Sequence, residues 1–296
     1  MSNNLKSFVK TFSITFLIIM LTVFFIIPFI TDHAMKTQSE SNYQLLRETT
    51  ENITRYSIND TDKAYRIYEW FQYSGNMTNI YGKNTVLPGL IIRSEDPHIC
   101  IPLNENKYVL WVLTGKCGAC LEYSLLYREI ANESNLTVRS VHNYGEDHNW
   151  DEVLIDNKWI IVDPSMYWFN VSPFDEETRR GPNGLNMSYV FAEYSNGTQE
   201  DITYRYTNTS NITIKILNKN RGNISIKVLS NNLLHVNNRT EVDTNLSCKT
   251  DMNGICTLTL GGGNYTLSLE KNMFFPQKEY IAIDENKEYE KEYLLK

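Results

Sequence analysis

Three short motifs restrict what this sequence can fold into, because each supplies one part of the same chemistry. Cys120 follows Gly-Ala, His148 opens the run His-Asn-Trp-Asp-Glu-Val, and Asp163 ends the run Trp-Ile-Ile-Val-Asp. A thiol attacks a carbonyl usefully when a neighbouring base helps to ionise it, and a carboxylate can hold that base in the right orientation. A fold that uses these residues together must bring all three side chains into one cleft.

The periodicity of apolar residues predicts two amphipathic helices. The first follows an N-cap candidate at Asn59 and has apolar residues at the spacing i, i+3, i+4 and i+7: Ala64, Ile67, Tyr68 and Phe71. The second begins near Gly118 and repeats this spacing: Tyr123, Leu126, Tyr127 and Ile130. Cys120 is therefore expected in the first turn of a half-buried helix, where the positive end of the helix dipole stabilises an anion.

Three segments after the second helix show the pattern of short strands: 137–142, 150–155 and 158–162. A two-residue turn at Asp156 and Asn157 would place Trp150 opposite Asp163, with His148 on the same face because side chains alternate with period two. His148 would then reach Asp163 diagonally. A three-residue loop would put the two on opposite faces, and the hydrophobic pattern does not choose between these registers.

The remaining segments are assigned from turn residues and alternation. Gly, Asn and Pro between residues 75 and 107 predict loops across the front of the domain, and residues 188–193 and 201–206 are expected to form closing strands. From Ile212 onward no helical period is seen, and short runs alternate apolar and polar residues between Gly and Asn turns. This part is predicted to be a small all-β sandwich.

An apolar segment at residues 11–30 has about the twenty-residue length of a membrane-crossing helix. Lys6 and Lys10 precede it and Asp32 follows it, which predicts a cytoplasmic N-terminus and export of everything after the anchor. A cleaved signal peptide is the alternative, but the apolar run is long for one and no small-x-small cleavage site follows. The predicted parts are, in chain order, the cytoplasmic segment 1–10, the transmembrane anchor 11–30, the stalk 31–57, the catalytic domain 58–206 and the β-sandwich 207–296.

The net charge argues against nucleic acid as a partner, and the glycosylation sequons predict attached glycans. Lys and Arg number 28 against 35 Asp and Glu, so the net charge is −7, and no basic run beyond the N-terminus could follow a phosphate backbone. Nucleic acid is not an expected partner. Glycans are expected on the exported side at Asn-x-Ser/Thr sequons, although a composition rich in these residues also produces sequons by chance: Asn52, Asn59, Asn76, Asn132, Asn135, Asn170, Asn186, Asn196, Asn208, Asn211, Asn223, Asn238, Asn245 and Asn264.

The five cysteines of an exported chain leave one unpaired when the other four form bridges. Cys248 and Cys256 flank a hairpin-like segment with an Asn-Gly turn, which predicts a disulfide between them. Cys100 could pair with Cys117 and leave Cys120 free. Alternatively, Cys117 could close a small redox ring with Cys120, which would switch the thiol off.

The three motifs resemble those of the transglutaminase-like superfamily of papain-type thiol enzymes. The resemblance covers roughly residues 60–206 and rests on Gly-x-Cys-x-Glu-aromatic at 118–123, His-x-Trp-x-Glu-Val at 148–153 and Trp-x-x-Val-Asp-Pro at 159–164. It implies an α+β fold with a papain-like core, in which a helix that carries the cysteine packs on an antiparallel sheet. By this resemblance Cys120 attacks an amide carbonyl, His148 ionises the thiol and protonates the leaving amine, and Asp163 holds the imidazole.

Further site residues are expected around this triad. Trp111 is a candidate donor to an oxyanion, although a core position is the simpler interpretation and the backbone N–H of Cys120 is the better donor. Trp150 is expected in the core or the pocket wall, and Glu122 in a structural hydrogen bond or ion pair near the helix start. No cofactor is expected, because the soft ligands that zinc would need include only one closely spaced pair: Cys117, Cys120, His142 and His148.

Two local resemblances add detail. The segment Lys-Cys-Gly-Ala-Cys at 116–120 is similar to peptide N-glycanases, in which the second cysteine is the nucleophile. The chain departs from them at Leu121, where they usually carry Gly, in lacking paired zinc cysteines upstream, and in its expected export. The tail at 250–267 is similar to carboxypeptidase regulatory-like β-sandwich domains.

The sequence thus predicts a membrane-anchored extracellular thiol hydrolase or acyltransferase, in the first place a cysteine protease. Its substrates would be amide bonds of peptides or glycoproteins. One alternative is an amidase of the peptide N-glycanase type. The other is a catalytically inactive surface protein that keeps the fold for binding or adhesion.

Overall fold

A computed structural model describes most of the chain beyond residue 42. The described residues are 43–75, 77–79, 85–87, 90–92, 99–100, 108–174, 187–218, 221–232, 241–270 and 276–295, with isolated positions between 12 and 41. Contacts divide the chain into two units, Met1–Thr49 and Thr50–Lys296.

The first unit bears on the predicted anchor. In it, residues 43–49 are helical. Among the described residues, no helix is long and apolar enough to cross a membrane. The predicted anchor at 11–30 falls mainly on residues outside the described part, and it is not confirmed.

Helix α1, Asp60–Glu69, opens the second unit where the sequence predicts it. Asn59 caps it, since its side-chain Oδ1 accepts a hydrogen bond from the backbone N–H of Asp62 at 2.8 Å. The helix continues as a π-helical turn, Trp70–Ser74. The residues that pack inward from α1 and this turn are Ala64, Ile67 and Phe71.

The predicted loops between 75 and 107 contain short strands instead. Among the described residues these are β1 (Thr78–Asn79), β2 (Thr85–Leu87), β3 (Leu90–Ile92) and β4 (Ile99–Cys100). Strands β2, β3 and β4 form an antiparallel sheet in that order. The prediction of irregular structure was wrong here, because two- and three-residue strands are too short to show alternation.

Helix α2, Tyr108–Gly115, has no counterpart in the predictions. Its sequence is apolar on nearly all sides, so it lacks the 3.6-residue period by which a half-buried helix is recognised. Strand β5, Cys117–Gly118, follows and pairs in parallel with β1.

Helix α3, Cys120–Glu133, packs along the central sheet, and the predicted inward face is buried. The strands of this sheet are β6 (Val138–Asn143), β7 (His148–Ile155), β8 (Lys158–Asp163), β9 (Trp168–Phe169), β10 (Phe191–Glu193) and β11 (Gln199–Asp201). Their order is β11-β10-β6-β7-β8-β9, and every neighbouring pair is antiparallel. This arrangement confirms the predicted α+β class.

A two-residue turn joins β7 to β8. Ile155 pairs with Lys158, and the residues between them, Asp156 and Asn157, have φ values of 49° and 61°. Two successive left-handed residues are the mark of a type I′ hairpin turn. The two-residue alternative in the sequence is therefore the one that forms.

One of the expected closing strands is a helix. Residues 201–206 were predicted as a strand, but Thr203–Tyr206 form a helical turn, α4. Asp201 starts it, because its Oδ1 accepts from the Thr203 backbone N–H at 2.9 Å, a local contact that favours a turn over an extended strand. The turn carries Tyr206 into the core on one face of the sheet, which consists of Val141, Trp150, Ile161, Trp168, Met187, Val190, Ala192, Ile202 and Tyr206.

The described residues from 209 onward form the predicted β-sandwich. Its strands are β12 (Thr209–Ile216), β13 (Ser225–Ser230), β14 (Val242–Lys249), β15 (Ile255–Gly261), β16 (Gly263–Glu270), β17 (Gln277–Ile283) and β18 (Glu288–Tyr293). One sheet has the order β15-β12-β18 and the other β14-β13-β16-β17. Alternate residues of both sheets share one apolar core, as the period-two pattern predicts.

The type I′ turn predicts how position 157 responds to substitution. Asn157→Val should lower the free energy of unfolding by roughly 1–2 kcal/mol, because a β-branched residue is strained in the left-handed region. Asn157→Gly is the matched control and should leave stability equal or higher, since Gly adopts this region without steric cost. Urea unfolding measures both. Equal stability of the two variants would contradict the turn.

Candidate active site

Cys120 is the first residue of α3, and its neighbours explain the Gly-x-Cys-x-Glu spacing. Glu122 Oε2 accepts a hydrogen bond from the backbone N–H of Ala119 at 2.9 Å and so closes the helix start. A Cβ atom on Gly118 would lie 2.4 Å from Glu122 Cβ, which is too close for any side chain but hydrogen. The glycine therefore makes room for the acid that holds the cysteine's turn in place.

The Cys120 side chain is buried at the positive end of a long helix. It is 9% exposed, while the adjacent Leu121 is 41% exposed. The unpaired N–H groups of a helix start stabilise negative charge nearby. This position suits a sulfur that must become an anion.

The cysteine pairing decides between the predicted alternatives. Cys248 and Cys256 form a disulfide, as predicted. Cys117 is also disulfide-bonded, whereas Cys120 is free. The alternative of a disulfide between Cys117 and Cys120 was therefore wrong, because Cys120 is a free thiol while Cys117 is oxidised. The side chain of Cys100, the other predicted partner of Cys117, lies outside the described part.

His148 is the first residue of β7 and follows a sharp local bend. A 3₁₀ turn, Tyr144–Glu146, leads into Asp147, which has the left-handed values φ 57° and ψ 47°. This bend turns the Asp147 carbonyl oxygen toward the Cys120 sulfur, 3.9 Å away. The segment that presents the histidine thus contacts the helix start that presents the thiol.

His148 and Asp163 meet across the hairpin in the buried interior. His148 Nε2 lies 2.6 Å from Asp163 Oδ2, and both side chains are almost fully buried. The second carboxylate oxygen, Oδ1, accepts from the N–H and hydroxyl of Ser165 at 2.9 and 2.7 Å and from the N–H of Met166 at 3.2 Å. These donors fix the carboxylate, so that it can fix the imidazole.

The electrostatics of the site favour a charged imidazole. Burial lowers the pKa of His148, but the charge of Asp163 and hydrogen bonds with Asp163 and Cys120 outweigh burial and raise the pKa from 6.5 to about 10. Since Nε2 is held by Asp163, Nδ1 is the nitrogen that remains for the thiol. The structure thus brings the imidazole of His148 against Asp163, and the segment that carries His148 against Cys120.

Trp150 forms one wall of the imidazole's pocket. Its ring stacks on His148 with centroids 5.5 Å apart, and Trp168 meets the same imidazole edge-on at 6.0 Å. The Trp150 indole N–H donates to the hydroxyl of Tyr206 at 2.9 Å, and that hydroxyl donates to Glu152 at 2.8 Å. The indole N–H is thus already used, so Trp150 is a wall of the pocket and not an oxyanion donor.

Glu152, the acid of the His-x-Trp-x-Glu motif, is the centre of a buried ion pair. Arg139 Nη2 lies 2.6 Å from Glu152 Oε2, and Arg205 Nη2 lies 3.1 Å from Glu152 Oε1. The Arg139 guanidinium also stacks over the Trp159 ring at 4.1 Å. Sequence reasoning missed Arg139, Tyr206 and Ser165 because no motif marks them, although Ser165 could have been suspected from its place two residues after an acid, where Asx-type turns form.

The other predicted pocket residues have narrower roles. The Glu122 carboxylate accepts a hydrogen bond from the backbone N–H of Ala119. Its role is therefore structural, and it is not a hydrogen-bond donor to an oxyanion. Trp111 lies in α2, and its side chain is outside the described part. No group of three His, Cys, Asp or Glu residues that could hold a metal ion is found in the described segments. Of the four soft ligands considered for zinc, Cys117 is in a disulfide and has no thiolate to offer.

Comparison with known proteins agrees with the motif-based resemblance. Residues 100–164 match the family described as the transglutaminase-like superfamily, and this span holds all three triad residues. The predicted similarity to that superfamily is confirmed over this segment. No curated protein matches the chain significantly. The similarity of the tail to carboxypeptidase regulatory-like domains is not confirmed and stays a prediction.

Solved structures with related chain traces are distant. One is Rad4-Rad23 bound to a 6-4 photoproduct UV lesion, with a TM-score of 0.38, 14% identity, and coverage of 60% of this chain and 46% of that chain. Another is a candidate cysteine protease from Cytophaga hutchinsonii, with a TM-score of 0.30 and 12% identity. That match covers 81% of this chain and 58% of that chain. A third is a candidate protease from Parabacteroides distasonis. Its TM-score is 0.33, its identity is 15%, and the match covers 64% of this chain and 35% of that chain. The match thus spans about half the length of the Rad4-Rad23 chain, and scores this low carry no functional argument.

The buried charge pair predicts a pH-dependent stability. Because the pKa of His148 is raised in the fold, the pair contributes stability that is complete below 6.5 and is lost as the pH rises through about 10. Asp163→Asn should lower the free energy of unfolding near pH 6 by roughly 3–5 kcal/mol, and the loss should shrink between these two pH values.

Urea unfolding at several pH values measures this difference. Asp156→Asn, an exposed acid in the neighbouring turn, is the matched control and should change stability by less than about 0.5 kcal/mol. A loss in Asp163→Asn that is the same at low and high pH would contradict the charged pair.

Proposed function

We propose that this chain is a thiol hydrolase or acyltransferase that acts on amide bonds of peptides or glycoproteins. Cys120 is the nucleophile, His148 the base and then the acid, and Asp163 the residue that orients the imidazole. The observation that carries the proposal is a buried imidazole held 2.6 Å from a fixed carboxylate, directly after a residue whose carbonyl oxygen lies 3.9 Å from a free thiol. A purely structural histidine needs neither.

The chemistry follows from this arrangement. His148 holds the proton that has left the thiol, and the sulfur attacks the carbonyl carbon as a thiolate, so that the C=O electron pair moves onto oxygen. The backbone N–H of Cys120, in the first turn of α3, is the donor best placed for that oxyanion. The C–N bond then breaks, His148 protonates the departing amine, and the acyl group stays on sulfur as a thioester. Water or a second amine, deprotonated by His148, releases it.

A cysteine protease is the form of this function that we favour. It needs only water as the second substrate, and the site requires no cofactor for the steps above. The amidase of the peptide N-glycanase type would use the same three residues on a glycan-bearing amide. We also place the catalytic part outside the cell behind a membrane anchor at 11–30, a proposal that rests on the apolar run and the two lysines before it.

The reactivity of the Cys120 thiol tests the proposal without a known substrate. Near pH 6 a free cysteine is almost wholly protonated, so iodoacetamide should alkylate Cys120 about tenfold faster or more than free cysteine. Mass spectrometry of the Cys120 peptide gives the rate. His148→Asn should bring the rate to that of free cysteine, because it removes the base.

His142→Asn is the matched control. His142 is also buried on the central sheet, but its Nδ1 lies 2.6 Å from Asn149 Oδ1 and not against a carboxylate. This variant should keep the wild-type rate within about twofold, since it leaves the base in place. A Cys120 that reacts no faster than free cysteine would leave the inactive binding protein as the better account.

A further inference from the structure

Glu146 is a buried carboxylate two residues before His148, in the 3₁₀ turn Tyr144–Glu146. Its Oε2 accepts from the backbone N–H and hydroxyl of Ser188 at 3.1 and 2.8 Å. Its Oε1 accepts from the amide of Asn232 at 3.0 Å and from the hydroxyl of Ser230 at 3.4 Å. Each oxygen is thus served by a different part of the chain.

The donors to Oε1 belong to the β-sandwich. Ser230 is the last residue of β13, and Asn232 lies two residues after it. Asn232 is in turn held by the sandwich, since its Oδ1 accepts from the backbone N–H of Asn264, the second residue of β16, at 2.9 Å. A chain of hydrogen bonds therefore runs from a sandwich strand to the turn that precedes the histidine.

Close backbone approach at the same junction indicates a fixed contact. A Cβ atom on Gly145 would lie 2.2 Å from Ser188 Oγ and 3.1 Å from Ser230 Cβ. A Cβ atom on Gly261, the last residue of β15, would lie 2.0 Å from the Met187 carbonyl oxygen. At Gly261 a side chain would collide with backbone across the junction, and at Gly145 it would press on Ser230, so the sandwich and the catalytic part are packed closely together.

The environment of Glu146 explains why these donors matter. Burial raises the pKa of Glu146, and the hydrogen bonds from Asn232 and Ser188 oppose that shift. A buried acid without such donors loses its hydration with nothing in return, so removal of one donor weakens the whole turn. The turn continues directly into Asp147, whose carbonyl faces the Cys120 sulfur, and then into His148.

We infer that Glu146 is a positioning residue, through which the β-sandwich holds the Asp147–His148 segment against Cys120. The sandwich is then a working part of the active site and not only a tether or an adhesion module. The inference rests on the proposed function, because it assigns the contact a role in presenting the catalytic histidine. This role involves only the edge of the sandwich at Ser230 and Asn232, and not its outer faces.

A pair of neighbouring asparagines tests this inference. Asn232→Ala removes the amide that reaches Glu146. Asn231→Ala is the matched control, because Asn231 bonds Thr266 inside the sandwich at 3.0 Å and does not contact Glu146. Both variants lose side-chain hydrogen bonds of the sandwich, so thermal unfolding should change by similar amounts. Only Asn232→Ala should affect the site.

Two measurements on these variants give the result. Alkylation of Cys120 by iodoacetamide near pH 6 should slow about tenfold in Asn232→Ala, the size expected for loss of one buried hydrogen bond, and stay within about twofold in Asn231→Ala. The pH midpoint of the alkylation rate should rise in Asn232→Ala alone. Amide hydrogen exchange of residues 144–148 should be faster in the same variant alone.

The outcomes separate this inference from the proposed function. Wild-type behaviour of Asn232→Ala in both measurements would overturn the inference, and so would equal losses in the two variants, which would indicate a general effect of sandwich stability. If the wild-type thiol is unreactive, the proposed function fails, and the exchange rates alone still decide whether the sandwich holds the turn.

Discussion

The contact between His148 and Asp163 is the interaction on which the site depends. It joins the start of β7 to the end of β8, and it forms only because the hairpin between them has two residues and keeps both side chains on one face. An ion pair this deeply buried is costly to create, and its cost is offset by the donors of Ser165 and Met166 on the carboxylate. The negative charge of the same carboxylate also raises the pKa of the His148 imidazole.

Three parts of the fold converge on that imidazole. Helix α3 brings the thiol with its own dipole, and the segment after β10 brings Tyr206, which holds the Trp150 ring that stacks on His148. The β-sandwich contributes from a third direction through Glu146. A site held from several sides is pre-organised, which is what charge development in a reaction requires.

The sequence predicted the parts that follow a period or a local rule. The helix with Tyr123 and Tyr127 on its buried face shows the 3.6-residue period, and the motifs indicated the superfamily that residues 100–164 match. The hairpin register was left between two choices, because hydrophobicity is the same in both, and backbone angles at Asp156 and Asn157 decide it. Arg139 and Glu146 were out of reach, since their partners lie far away in sequence and only the fold brings them together.

The protonation state of His148 tests the central claim most directly. Nitrogen-15 spectra of the imidazole rings, recorded from pH 6 to pH 9 and assigned with the His148→Asn variant, report whether one or both ring nitrogens carry a proton. The charge of Asp163 and the influence of Cys120 outweigh burial and raise the pKa of His148 to about 10, which predicts an imidazolium across this whole range. A neutral ring at pH 7.5 that titrates near 6.5 would contradict the account.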